Sequence, residues 1–234
     1  MPSDTPTLPK ATVVIPVYPG VDLLDVTGPF EMFYWTKALK VQVVAEHKGL
    51  ITCGSGLTIY VDKTFAEADP GAALWIPCGD PGALVAIMED PDQTYLGFLR
   101  KQADRAPIVA SVCEGAMLLA AAGLLNGYSA TTHWAFVPCL KARFPKVNVV
   151  GGHPRFVLDR KRLTGAGISA GLDEALELIT ILLGKAAAED VQQTTEYFPQ
   201  PPAVPFPAPV PCPLDGVRPR TDYGVSGWSC APPD

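Results

Sequence analysis

Two kinds of apolar pattern alternate along this chain. The first is short and solidly apolar. ATVVIPVY (residues 11–18), KVQVVAE (40–46), AALWIP (72–77) and APIVASV (106–112) are β-branched runs closed by Pro, Gly or polar turns, as expected of strands buried on both faces. The second repeats every three to four residues. Residues 28–38, 91–104, 134–144, 169–184 and 186–198 space their apolar positions so as to line one face of a helix. CEGAMLLAAAGLLNG, from Cys113, is rich in Ala and Leu and predicts a helix closed at Asn126-Gly127. Residues 50–61 predict a glycine-containing hairpin, and 147–151, 155–159 and 162–165 short strands. CGDPG (78–82) has the composition of a turn.

Strand and helix alternating in this way predict an α/β fold, a mainly parallel sheet covered on both faces. Ligands of such sheets bind at the carboxyl ends of the strands. The residues that follow each strand are therefore the ones to search: Gly20 to Asp25, Cys78 to Asp80, Cys113-Glu114, and the loop before residue 170.

Proline content sets the boundaries. Eleven of the 25 prolines fall after residue 198, where apolar periodicity stops. Residues 199–234 read as a proline-rich, extended tail, residues 1–10 as a flexible leader, and 11–198 as the folded domain. The N-terminus lacks the basic and apolar segments of a secretory signal. The apolar run GAMLLAAAGLL falls short of the about 20 residues that a bilayer requires. A cytoplasmic protein with no membrane partner is the expectation. The net charge is -6 and no basic block could follow a phosphate backbone, so no nucleic-acid partner is expected. Six cysteines are scattered without a CxxC pair or zinc spacing, which predicts no metal and mostly free thiols.

Among these cysteines Cys113 has a distinctive position. A buried strand ends at Val112 and a helix begins within two residues, so Cys113 sits on a strand-to-helix turn resembling a nucleophile elbow. A helix N-terminus there would lower the thiol pKa and could hold a developing anion. Asp25, flanked by Leu24 and Val26 in a predicted loop, is either a helix cap or a desolvated acid with a raised pKa. His133, in TTHW, is either structural or a partner for a nearby sulfur or substrate.

Taken together, GVDLLDVTGPFE (20–31), SVCEGAMLLAAAGLLNGYSATTHW (111–134) and TGAGISAGLDEALEL (164–178) resemble the ThiJ/PfpI superfamily, and within it the isocyanide hydratases. The resemblance spans about residues 11–198. It implies a flavodoxin-like three-layer sandwich with a cysteine nucleophile elbow, a homodimer, a small-molecule substrate and no cofactor. The family's nucleophile falls on Cys113 and its acid on Asp25. The activity implied is that of a lyase adding water to R–N≡C to give an N-substituted formamide. Gly79, Cys78, His133 and Gly115 fall on substrate-binding or supporting positions. Asp173 matches a family position and reads as a cap or a support for the site.

Two residues depart from the family pattern. Glu114 follows the cysteine where the hydratases usually carry Thr; it is either a first-turn helix acid or an additional acid or base. Cys78, in IPCGDPG, stands where the family commonly has Gly. Two other activities share the same cysteine. One is glyoxalase- or deglycase-like turnover of reactive carbonyls with Glu114 or His133 as base. The other is non-catalytic redox sensing, in which Cys113 oxidises to a sulfinate. The superfamily's transcription regulators carry a C-terminal DNA-binding domain, and the tail has no helix-turn-helix pattern.

Overall fold

A computed structural model describes residues 11–199 and 211–219. The chain runs β1 (Ala11–Pro16), α1 (Leu23–Trp35), β2 (Leu39–Val44), β3 (Gly49–Thr52), β4 (Thr58–Val61), β5 (Ala73–Ile76), α2 (Pro81–Glu89), α3 (Thr94–Ala103), β6 (Ile108–Ser111) and α4 (Gly115–Ala121). It continues through β7 (Ser129–Ala130), α5 (Val137–Arg143), β8 (Asn148–Val149), β9 (Phe156–Asp159), β10 (Arg162–Gly165), α6 (Ala170–Leu183) and α7 (Lys185–Thr194).

Six strands form the central sheet in the order β2-β1-β5-β6-β10-β9. All neighbours are parallel except β9, which returns antiparallel along β10. Every residue of β5 and β6 is buried, whereas the edge strand β2 alternates. That contrast follows from helices covering both faces of a parallel sheet. Helices α1, α6 and α7 pack together as one layer, and α2 to α5 as the other. The flavodoxin-like α/β sandwich expected from the sequence is the fold observed.

The departures have local causes. CGDPG is not only a turn, because its last two residues already belong to α2. Asp80 caps that helix by accepting the Gly82 N–H at 2.8 Å, and Pro81 takes the first helical position, where its missing N–H costs nothing. Helix α1 starts at Leu23 rather than 28, because Asp22 caps it through the Leu24 and Asp25 N–H groups. Asp25 is therefore a first-turn residue, neither in a loop nor the cap itself. Helix α4 ends at Ala121, ahead of Asn126-Gly127, and Gly123 follows with φ +79°.

Part of the tail is not extended. Residues 213–216 make a turn that seats Leu214 at 1% exposure. Cys212 is joined to Cys139 of α5 by a disulfide with Cα atoms 4.8 Å apart. Arg143 donates to the Leu214 carbonyl at 3.1 Å and pairs with Asp215. The expectation of mostly free thiols thus fails for this pair, while Cys53, Cys78 and Cys113 are free. The remaining tail and the 1–10 leader lie outside the described residues. No described helix is long and apolar enough to cross a membrane.

Candidate functional site

The site lies at the carboxyl ends of β1, β5, β6 and β10. β6 ends at Ser111, and two residues later Cys113 turns into the left-handed region at φ 57°. A non-glycine residue there costs of order 1–3 kcal/mol and persists only where its surroundings fix it. Those surroundings are specific. The Cys113 N–H donates to the Ala166 carbonyl at 2.8 Å, and its own carbonyl accepts the Thr132 hydroxyl at 2.8 Å. Gly115 keeps the turn tight, because a Cβ at this position would run into the Ile76 carbonyl.

Asp25 is held by its neighbours in α1. Pro29 cannot donate to the carbonyl four residues earlier, which is that of Asp25. The Trp75 indole N–H fills the vacancy at 3.0 Å. The Asp25 side chain is fully buried; its Oδ2 accepts the Cys78 N–H at 3.0 Å, and its Oδ1 has no partner. Burial dominates its titration: the carboxyl is raised from 3.8 to about 8, against the pull of hydrogen bonds from Cys78. Of the two readings of Asp25, the cap is excluded, since Asp22 caps α1, and burial of the carboxyl fits the desolvated acid.

Cys78 stands between Asp25 and Cys113. Donor atoms of these three residues all lie within 4.8 Å of one another, the one such convergence among the described residues close enough to hold a metal ion. A hydrogen bond from Cys78 pulls the Cys113 thiol down, but burial and the Glu114 and Asp25 carboxylates push harder, to about 12. Cys78 itself is raised well above an ordinary thiol by burial and by Cys113. The expected lowering by a helix N-terminus is overruled by burial and by the two carboxylates beside the thiol.

Glu114 is 6% exposed, its charge raises the Cys113 thiol, and one of its oxygens lies 3.9 Å from His133 Nδ1. The His133 ring lies against Gly167, where no Cβ could fit, and its Nδ1 accepts the Ala135 N–H at 3.4 Å. Cys78, Gly79, Cys113, Glu114 and His133 all line a cavity of about 310 Å³. Gly79 is required there, because a Cβ would lie 2.6 Å from the Gly20 carbonyl. A second cavity of about 320 Å³ shares His133 and Ile168 with the first and reaches Arg155.

Not every expected residue is in the wall. Asp25 and Gly115 sit behind it. Asp173 is not a cap; it lies in the first turn of α6, pairs with Arg155 and accepts the Tyr197 hydroxyl at 3.2 Å. Sequence reasoning passed over Asp22, Thr132 and Trp75, all of which orient site residues. It also passed over Glu174, fully buried in α6 with neither carboxylate oxygen well hydrogen-bonded. Asp22 had a readable signal, a polar cap immediately before an apolar run.

Comparison with known proteins identifies the family and the fold. The family described as DJ-1/PfpI matches residues 11–181. An isonitrile hydratase from Pseudomonas putida is 38% identical over 186 residues, 80% of this chain and 78% of that protein. A ThiJ/PfpI family protein from Pseudomonas syringae superposes with a TM-score of 0.74 at 35% identity, covering 86% of this chain and 80% of the other. DJ-1beta of Drosophila melanogaster shares the fold with a TM-score of 0.70 at 20% identity, covering 80% of this chain and 98% of the other.

Proposed function

The chain belongs to the DJ-1/PfpI family, and from that premise we propose that it is a cysteine-dependent lyase adding water to isocyanides to give N-substituted formamides. One observation carries the reading. A buried carboxyl whose pKa is raised to about 8 lies within 4.8 Å of the thiol on the elbow. The hydratase from Pseudomonas putida supports the same reaction class.

An isocyanide carbon takes up both a nucleophile and a proton. Cys113 Sγ attacks that carbon as the Glu114 carboxylate accepts the thiol proton. The proton passes to the same carbon, leaving a thioimidate, Cys113–S–CH=N–R. Protonated Asp25 then donates to the nitrogen, water adds to the carbon, and the water's proton returns to Asp25. Collapse of the adduct breaks the C–S bond. The departing thiolate recovers the hydroxyl proton by way of Glu114, and R–NH–CHO leaves. A high thiol pKa suits this scheme, since the thiol loses its proton only as it attacks. The functional unit of this reading is a homodimer.

Glu114 touching Cys113 and facing His133 supports a second reading, turnover of reactive carbonyls with Glu114 as base. Steady-state assay with an alkyl or aryl isocyanide separates the two. Formamide that disappears in Cys113→Ala is the expected result. Absence of formamide, with methylglyoxal consumed instead, overturns the hydratase reading.

A further inference from the structure

Cys78 lies beside Cys113. Strands β5 and β6 are parallel neighbours with Ile76 opposite Ser111. Cys78 and Cys113 each lie two residues past the ends of these strands. The two sulfurs lie within 4.8 Å of each other. Both residues line the same cavity, so a small oxidant reaching one meets the other.

We propose that Cys78 and Cys113 form a reversible redox pair, in which Cys113 reduces a hydroperoxide and Cys78 resolves the product as an intramolecular disulfide. In the first step Cys113 Sγ attacks the terminal peroxide oxygen. The O–O bond breaks, an S–O bond forms, and sulfur loses two electrons. The thiol proton passes by way of Glu114 to the departing oxygen, giving water from hydrogen peroxide or an alcohol from an organic peroxide. In the second step Cys78 Sγ attacks the sulfenic sulfur. The S–OH bond breaks, the S–S bond forms, and the Cys78 proton leaves with the hydroxyl as water. An external dithiol restores both thiols by exchange. A free neighbouring thiol intercepts the sulfenic acid before a second oxidant does, so Cys113 is shielded from irreversible sulfinate formation. While the bridge lasts, Cys113 is unavailable to any substrate.

This pairing does not depend on isocyanide turnover, and its test reads mass rather than activity. The full chain is treated with hydrogen peroxide, alkylated without reduction, and mapped by peptide mass spectrometry. The expected product is a peptide pair linked through Cys78 and Cys113, about 2 Da lighter than the two thiols and recovered by dithiothreitol. Under the same treatment Cys78→Ala is expected to carry about 32 Da on Cys113, not recovered by the dithiol. The Cys139–Cys212 bridge maps separately and serves as an internal control. A wild-type chain that accumulates sulfinate at Cys113 while Cys78 stays alkylatable overturns the proposal, as does a Cys78–Cys113 pair that peroxide leaves fully reduced.

Discussion

Two carboxyls with no exposed surface sit on helices packed against each other, Asp25 on α1 and Glu174 on α6. Both are raised above their ordinary values chiefly by burial, yet their settings differ. Asp25 accepts the Cys78 N–H and lies within 4.8 Å of two thiols. The Ser111 N–H acts on Glu174 only weakly, both of its oxygens go without a well-formed hydrogen bond, and its neighbour Gly165 has no room for a Cβ. Burial therefore does not by itself make a functional acid. What separates the two is a reacting atom within reach.

The largest difference should appear on deleting each acidic proton. Asp25→Asn is expected to lower kcat for isocyanide hydration by about 10²–10⁴-fold, the usual worth of a positioned general acid. Glu174→Gln should change it by less than about threefold. Steady-state formamide production by both variants, with folding checked by circular dichroism, decides the matter. Equal losses would mean that Glu174 takes part in the proton traffic.

The same contrast marks what could be read in the sequence. The Cys113 elbow was legible because a buried strand, a short polar turn and an Ala/Leu helix meet within a few residues. The central strands were legible for the same reason, as continuous apolar runs. Asp25 was harder, since its partners Trp75 and Cys78 are about 50 residues away in sequence. Glu174 left a signal that went unused. Ala170, Gly171, Ala175, Leu178 and Ile179 form the buried stripe of α6, and Glu174 falls on it four residues from both Ala170 and Leu178. The Cys139–Cys212 bridge was not legible, because a disulfide across 73 residues depends on where the tail docks.

Stability should separate the two acids in the opposite sense. A buried carboxyl without good partners costs about 1–3 kcal/mol, so Glu174→Leu is expected to raise stability by that amount at pH 8. Asp25→Leu would leave the Cys78 N–H unsatisfied and should not gain. Urea midpoints test both. Their pH dependence gives a further check. Each acid is raised in the folded state, so its contribution is complete below the unfolded pKa and is lost as pH climbs through the folded value. For Asp25 that window runs from 3.8 to about 8, at up to roughly 1.4 kcal/mol per pH unit. Asp25→Asn should flatten the slope across this window. An unchanged slope would mean that the carboxyl titrates at its ordinary value.

The smallest expected effect is the most discriminating. Glu174 feels the charge on Asp25, whereas the influences that set Asp25 are burial, Cys78, Asp22 and Glu114. Both acids are raised by burial, and as long as Glu174 holds its proton it presents Asp25 with no charge. If protonated Asp25 is the acid of the reaction, kcat should hold at neutral pH and fall as pH rises through about 8. Glu174→Gln should leave that midpoint where it is, because a neutral acid and a neutral amide present Asp25 with the same charge. A midpoint moved downward in this variant would require Glu174 to support the Asp25 proton directly, and the contrast between the two acids would dissolve into one shared proton site.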